Sequence, residues 1–191
     1  MTWVLFDYGN VLSLPQPQAD VAAMASAAGA DLESFERGYW AHRLDFDRGT
    51  LTPRAFWSLA LGRDVGDEEL ATLVGLDVAS WSYPNPGTVA VMERLPRVAL
   101  LSNAPACVAE GIDGLPWLAG IGPRFYSARM GLVKPDPEIY LAVLDGLDAR
   151  PHEVTFVDDR LENVEAAARL GITGVHFRGP GDLAALPRQV G

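Results

Sequence analysis

The sequence predicts an α/β fold: a parallel sheet covered by helices, with a helical module inserted near its start. Three observations lead there. Four apolar runs have strand length and no amphipathic period, as strands buried on both faces do: "TWVLFD" (2–7), "RVALLSN" (97–103), "EVTFVDD" (153–159) and "ITGVHF" (172–177). Helical patterns lie between the later runs. From about Pro15 to Pro86 the alternation stops, and helices alone are expected.

The elements follow in order. After the first run come "ADVAAMASAAGA" (19–30), "LESFERGYWAHRL" (32–44), "TPRAFWSLAL" (52–61) and "DEELATLVGLDVASW" (67–81), each a helix pattern. Thr52 before Pro53, and Asp67 before Glu68, are good helix starts. "YPNPG" (83–87) closes the segment with turn residues. Farther on, Asp136 as N-cap and Pro137 as first helical residue open "DPEIYLAVLDGL", and Gly171 ends "LENVEAAARLG". Residues 1–14 and 87–191 are therefore expected to form the core, and 15–86 a helical cap. The tryptophans Trp40, Trp57 and Trp81 are assigned to the cap's own core.

The 191 residues are 49% apolar, enough for a real core, and 21% charged, which argues against disorder. A net charge of −10 repels nucleic acid and anionic membrane. It also makes any bound phosphate dependent on local positive charge or a metal. The single cysteine, Cys107, excludes an internal disulfide and fits a reducing compartment. No apolar stretch reaches membrane-spanning length, and "MTWVLFDYG" has no secretory signature, so the cytoplasm is expected.

In open parallel sheets ligands bind at the carboxyl ends of the strands. The polar residues that close the runs are Asp7, then Ser102 and Asn103, then Asp158 and Asp159; Lys134 lies in "GLVKPDP" before a capped helix. Three carboxylates together need a cation. Hard oxygen ligands suit Mg²⁺, which commonly shares a substrate phosphate. A free carboxylate at a strand end can attack phosphorus. An ammonium and a hydroxyl can hold phosphoryl oxygens as charge moves.

With these residues in place, the sequence resembles the haloacid dehalogenase (HAD) superfamily, most of whose members are phosphatases. "LFDYGNVL", "LLSN", "GLVKPDPEIY" and "FVDDRLENVEAAARLG" resemble its four motifs in order and spacing. The resemblance implies a Rossmann-like core with an inserted cap. It makes Asp7 the nucleophile, and Ser102 and Lys134 the phosphoryl-binding groups. Mg²⁺ would be held at Asp7, the Gly9 carbonyl and Asp159, with Asp158 a direct ligand or one step behind. Asn103 and Asn163 would orient the site. The substrate implied is a small phosphorylated metabolite, handled by a monomer or homodimer without nucleic acid or membrane.

One position departs from that pattern. Phosphatases of the superfamily usually carry an aspartate two residues after the nucleophile, as general acid and base; here it is Gly9. The loss is worth about 10²–10⁴-fold. The Asp-x-Gly-Asn-Val form resembles a branch that includes sugar-phosphate phosphatases, among them enzymes for α-D-glucose 1-phosphate. A preference for activated leaving groups (anomeric, aryl or acyl) is therefore expected. His42 in the cap is the candidate replacement acid. Arg43 has two readings: a solvated surface side chain, which is favoured, and a cap residue reaching the substrate. "LDFDRGTL" (44–51) imitates a nucleophile motif, but a helix pattern precedes it and it reads as a helix end stopped by Gly49. The rival functions are a non-catalytic phospho-ligand binder and a metal-independent 2-haloacid dehalogenase.

Overall fold

The first apolar run becomes the central strand of the sheet. In the computed structural model, which describes residues 2–186, five parallel strands are β1 (Trp3–Phe6), β2 (Val98–Ser102), β3 (Arg124–Tyr126), β4 (Val154–Asp158) and β5 (Thr173–His176), in the order β3-β2-β1-β4-β5. Met1 and residues 187–191, which the sequence reading placed in the core, lie outside the described residues. The chain winds one way from β1 through β2 and the other way through β4. The order reverses at β1, where a crevice opens at the carboxyl ends.

The missing period of the runs that became β1, β2 and β4 has a simple cause, whereas β5, expected to be buried, is an exposed edge strand. Val4, Phe6, Val98, Leu100 and Val157 pack into one core, and Leu5, Ala99, Leu101, Val154 and Phe156 into the other. Helices α6 (Pro86–Met92) and α7 (Ala106–Asp113) cover the first face; α9 (Pro137–Gly146) and α10 (Leu161–Arg169) cover the second. A short helix, α8 (Ser127–Met130), follows β3.

Between β1 and β2 lie α1 (Gln18–Ala27), α2 (Leu32–Ala41), α3 (Arg43–Arg48), α4 (Pro53–Leu61) and α5 (Asp67–Ser80). Asp31 and Thr52 cap α2 and α4 by accepting from Ser34 N and Ala55 N. Met24, Phe35, Tyr39, Phe46, Phe56 and Trp57 form a third core within these helices. The two crossings into and out of this layer are paired: Leu14 N donates to Tyr83 O and Asn85 N to Leu12 O, each at 2.8 Å.

Several expectations need correction. The helix expected over 32–44 breaks at His42 (φ −116°, ψ 7°), and α3 starts anew. Of the three cap tryptophans only Trp57 is wholly buried; Trp40 is 55% exposed, and Trp81 packs against the sheet's core. Asp136 holds the N-cap position of α9, but its carboxylate accepts from Arg48 at 3.1 Å and caps nothing. The edge strand β3 had no signal of its own. No helix among the described residues is long and apolar enough to cross a membrane.

Candidate active site

The site forms where β1 runs out. Asp7 N still donates to Val157 O (2.8 Å), which extends the ladder by one residue and fixes the Asp7 backbone. The chain then makes a tight turn through Tyr8–Leu12, closed by Ser13 N on Tyr8 O. Asn10 sits in that turn at φ +61°, a conformation asparagine tolerates better than most residues. Asp7 Oδ1 accepts from Tyr8 N and from Lys134 Nζ, both at 2.7 Å. Its Oδ2 has no hydrogen-bond partner among the described residues. Burial pushes the Asp7 carboxyl up to about 7, against the pull of Lys134 and with Asp158 and Asp159 adding to the rise.

Lys134 is almost wholly buried, and its three protons have three acceptors: Asp7 Oδ1 (2.7 Å), Asp158 Oδ2 (2.7 Å) and Leu101 O (3.2 Å). Burial works against its charge, but Asp158 and Asp7 outweigh it and hold the ammonium above its ordinary range. Asn103 clamps the lysine's backbone, accepting from Lys134 N (2.9 Å) and donating to Lys134 O (3.0 Å). Both polar atoms of its side chain thus hold the Lys134 loop, and Asn103 also lines the cavity. Ser102, the last residue of β2, is buried and lines the cavity.

Both oxygens of Asp158 are occupied. Oδ1 accepts from Arg160 N (2.8 Å) and Asn163 Nδ2 (3.0 Å), and Oδ2 from Lys134. Asp159 is half-buried, and its Oδ2 accepts from Asn10 Nδ2 at 3.0 Å. One oxygen each of Asp7, Asp158 and Asp159 lies within 4.8 Å of the others. Three carboxylates thus face one ammonium, an excess of two negative charges. An all-oxygen donor set with that excess fits a hard divalent cation such as Mg²⁺.

The cavity in front of Asp7 is ≈ 360 Å³. Beyond the residues already named, Trp40, Leu44, Trp81, Val108 and Ile112 form apolar walls, and Arg43 and Asp47 supply the polar part of the helical layer's face. Gly9 has ordinary backbone angles (φ −61°, ψ 132°), but a Cβ there would stand 3.3 Å from Trp81 Cζ3. A side chain at position 9 would be tight against the indole ring, which would have to give by a few tenths of an ångström.

Arg43 is no surface arginine. It is buried, its Nε donates to Asp47 Oδ1 (2.8 Å), and its Nη1 lies 3.5 Å from Asp77 Oδ1 and against the Tyr39 hydroxyl. Burial disfavours its charge, but Asp47, Tyr39 and Asp77 together raise its hold on the proton. His42 is half-buried at the break between α2 and α3 and does not line the cavity. Sequence reasoning missed Asn10, Asp47 and Trp81. Asp47 lay in plain view in "LDFDRGTL", but nothing local marks it as buried.

Fold, strand-end carboxylates and buried lysine together define a hydrolase of the HAD type. The haloacid dehalogenase-like hydrolase family matches residues 1–171, and the chain belongs to it. Sesquiterpene phosphatase astK of Aspergillus oryzae is 30% identical over 188 residues, 91% of this chain and 88% of that protein. Flavin mononucleotide hydrolase 1 of Arabidopsis thaliana is 39% identical over a shorter stretch of 72 residues, 38% of this chain and 29% of that one. A HAD-family enzyme of Bacteroides thetaiotaomicron, crystallised as a magnesium complex, shares the fold with a TM-score of 0.69 and 22% identity, covering 91% of each chain. An L-2-haloacid dehalogenase shares it with a TM-score of 0.65 and 21% identity, covering 91% of this chain and 83% of that one.

Proposed function

We propose that this protein is a Mg²⁺-dependent phosphatase acting on a small phosphomonoester through an aspartyl phosphate on Asp7. The observation that carries the reading is the Asp7 carboxylate, fixed by the strand ladder and Lys134 through Oδ1 while Oδ2 stays without a partner in the cavity. Oδ2 attacks phosphorus in line, and the ester oxygen departs on the side away from the sheet. Lys134 and the Ser102 hydroxyl hold the phosphoryl oxygens as charge shifts. Asp7, the Gly9 carbonyl and Asp159 would hold the metal, with Asp158 behind them orienting Lys134. The bound cation would neutralise phosphoryl charge beside the nucleophile. Asn163 Nδ2 keeps Asp158 in position for Lys134.

The leaving group we infer is apolar or aromatic rather than a sugar. Trp40, Leu44, Trp81, Val108 and Ile112 make this wall mainly apolar, and Arg43 is held by Asp47 and Asp77. The relationship to a sesquiterpene phosphatase over most of the chain supports this choice.

Phosphate release from 4-nitrophenyl, farnesyl and glucose 1-phosphate, each with Mg²⁺ and with EDTA, tests the reading. Metal-dependent turnover is expected, with a higher kcat/KM for the aryl and prenyl esters. It is expected to be lost in Asp7→Asn. Binding without turnover in every case would establish the non-catalytic binder instead. Turnover of a 2-haloacid that survives EDTA would establish the dehalogenase.

A further inference from the structure

We propose that Asp47, delivered by α3, is the proton donor and acceptor that position 9 lacks. The proposal rests on the phosphatase reading and goes beyond it, because it assigns the acid–base step to a residue outside the strand-end site.

Elimination and direction give the first argument. Among the described residues, the carboxyl side chains lining the cavity are Asp7, Asp47 and Asp159, and no histidine lines it. Asp7 is the nucleophile, and Asp159 stands on the metal side, held by Asn10. The Tyr8 hydroxyl is taken by Trp81 O at 2.5 Å. In-line attack by Asp7 sends the leaving oxygen away from the sheet edge. The wall facing it there belongs to the helical layer, whose one carboxyl in the cavity is Asp47.

Its environment gives the second. Asp47 Oδ1 accepts from Arg43 Nε, while Oδ2 has no hydrogen-bond partner among the described residues. The side chain is 10% exposed and Asp47 lines the cavity, within which Oδ2 is the oxygen left to a substrate. The backbone is fixed as well: Asp47 O accepts from Ser127 Oγ (2.5 Å), which in turn accepts from Ala104 N (2.8 Å). Arg43 is shared between Asp47 and Asp77, both buried. Two carboxylates on one guanidinium leave one negative charge in excess, and a proton on Asp47 removes it. Burial pushes the Asp47 carboxyl up to about 6, despite the pull of Arg43. The titratable groups acting on it are Arg43 of its own helix, Asp77 of α5 and Lys134 across the cavity, while Tyr39 of α2 contacts Arg43 and Asp77.

The step balances. As Asp7 Oδ2 bonds to phosphorus and the ester P–O bond breaks, the Asp47 carboxyl gives its proton to the leaving oxygen. The alcohol departs and Asp47 is left ionised. Water then attacks phosphorus and breaks the bond to Asp7. Its proton passes to Asp47, releasing hydrogen phosphate and restoring both carboxyl groups.

The rival reading is that Arg43, Asp47 and Asp77 only staple α3 to α5. Asp47→Asn separates the two, because the amide still accepts from Arg43 but carries no transferable proton. The full chain with Mg²⁺ is assayed on 4-nitrophenyl phosphate, whose leaving group needs no proton, and on an alkyl phosphate. Alkyl kcat/KM is expected to fall about 10²–10⁴-fold, while aryl kcat/KM, which reports only the first phosphoryl transfer, stays within about threefold; aryl kcat should fall, with a burst of 4-nitrophenol, because hydrolysis of the aspartyl phosphate also uses Asp47. In the wild type the alkyl kcat/KM should decline above about pH 6, since the acid must start protonated, and that limb should vanish in the variant. Equal loss of kcat/KM on both esters, or no loss on either, overturns the proposal. Asp77→Asn provides a second check should Asp47→Asn fold poorly. It removes the excess charge, so the alkyl limb should move to lower pH; an unmoved limb counts against the proposal. Apart from turnover, ¹³C-carboxyl NMR of metal-free Asp7→Asn protein should show a titration near pH 6 that the Asp7→Asn/Asp47→Asn double variant lacks, and its persistence would overturn the assignment. A wild type that cleaves no phosphate ester would instead defeat the phosphatase reading itself.

Discussion

Gly9 and Trp81 are better understood as a pair than as a loss at one position. The indole stands where a side chain at position 9 would go, with Cζ3 3.3 Å from the place of its Cβ. Restoring the carboxyl by Gly9→Asp should therefore overpack the turn, costing roughly 1–3 kcal/mol. Thermal unfolding should show it, and alkyl phosphate turnover should not rise. Combining it with Trp81→Leu should recover stability, and a Gly9→Asp protein as stable as wild type would show that the ring yields freely. Lys134 gives a sharper case. It neutralises Asp7 and Asp158 together, so Lys134→Met should cost about 3–5 kcal/mol by urea titration of metal-free protein at neutral pH, besides abolishing turnover. Asp7, Ser102, Lys134, Asp158 and Asp159 could be picked out in the sequence because each closes an apolar run or lies just before a helix opened by proline. Arg43 and Asp47 could not. Their burial depends on Tyr39 and Asp77, which other helices bring to them, and a charge on a helix otherwise reads as solvated.

At the scale of elements, the same limit explains which segments were legible. β1, β2 and β4 are buried on both faces, and continuous apolar runs announce them. β3 is three residues at an edge, too short for a pattern, and the break at His42 leaves no glycine or proline to mark it. The α3–α8 contact that this break allows carries a prediction. Gly49 ends α3 at φ +81°, and a Cβ there would lie 2.9 Å from Ala128 O. Gly49→Ala combines backbone strain with a collision against main chain, and should cost roughly 1–3 kcal/mol. Because α3 would be pushed from α8, and Asp47 O from Ser127, aryl and alkyl turnover should both fall. Unchanged stability and kinetics would show that the contact holds nothing in place.

For the molecule as a whole, the question is whether the helical layer and the sheet unfold as one body. Charge gives part of the answer. The strand-end cluster carries two uncompensated negative charges, so Mg²⁺ bound to the native state should stabilise it by about 2.7 kcal/mol at one hundred times its Kd. That is a rise in Tm of roughly 2–4 °C per kcal/mol for a chain of this size, and it should be absent in Asp159→Asn. The remaining answer lies in how the layers are tied. Cys107 of α7 packs against both the sheet's core and the helical core. Tyr8 OH donates to Trp81 O, Ser127 Oγ to Asp47 O, and Arg48 to Asp136, while the two crossing segments bond to each other. None of these ties is large alone, but they lie at separate points around the shared cavity, and separating the layers breaks them together. A single cooperative transition is therefore expected. Tryptophan provides a local probe on each side, with Trp57 in the helical core and Trp3 and Trp117 against the sheet. Single-tryptophan variants followed by fluorescence in urea should share one midpoint with far-UV circular dichroism. An earlier midpoint for Trp57 would mean that the helical layer melts on its own, and that the sheet can lose Asp47 while keeping Asp7.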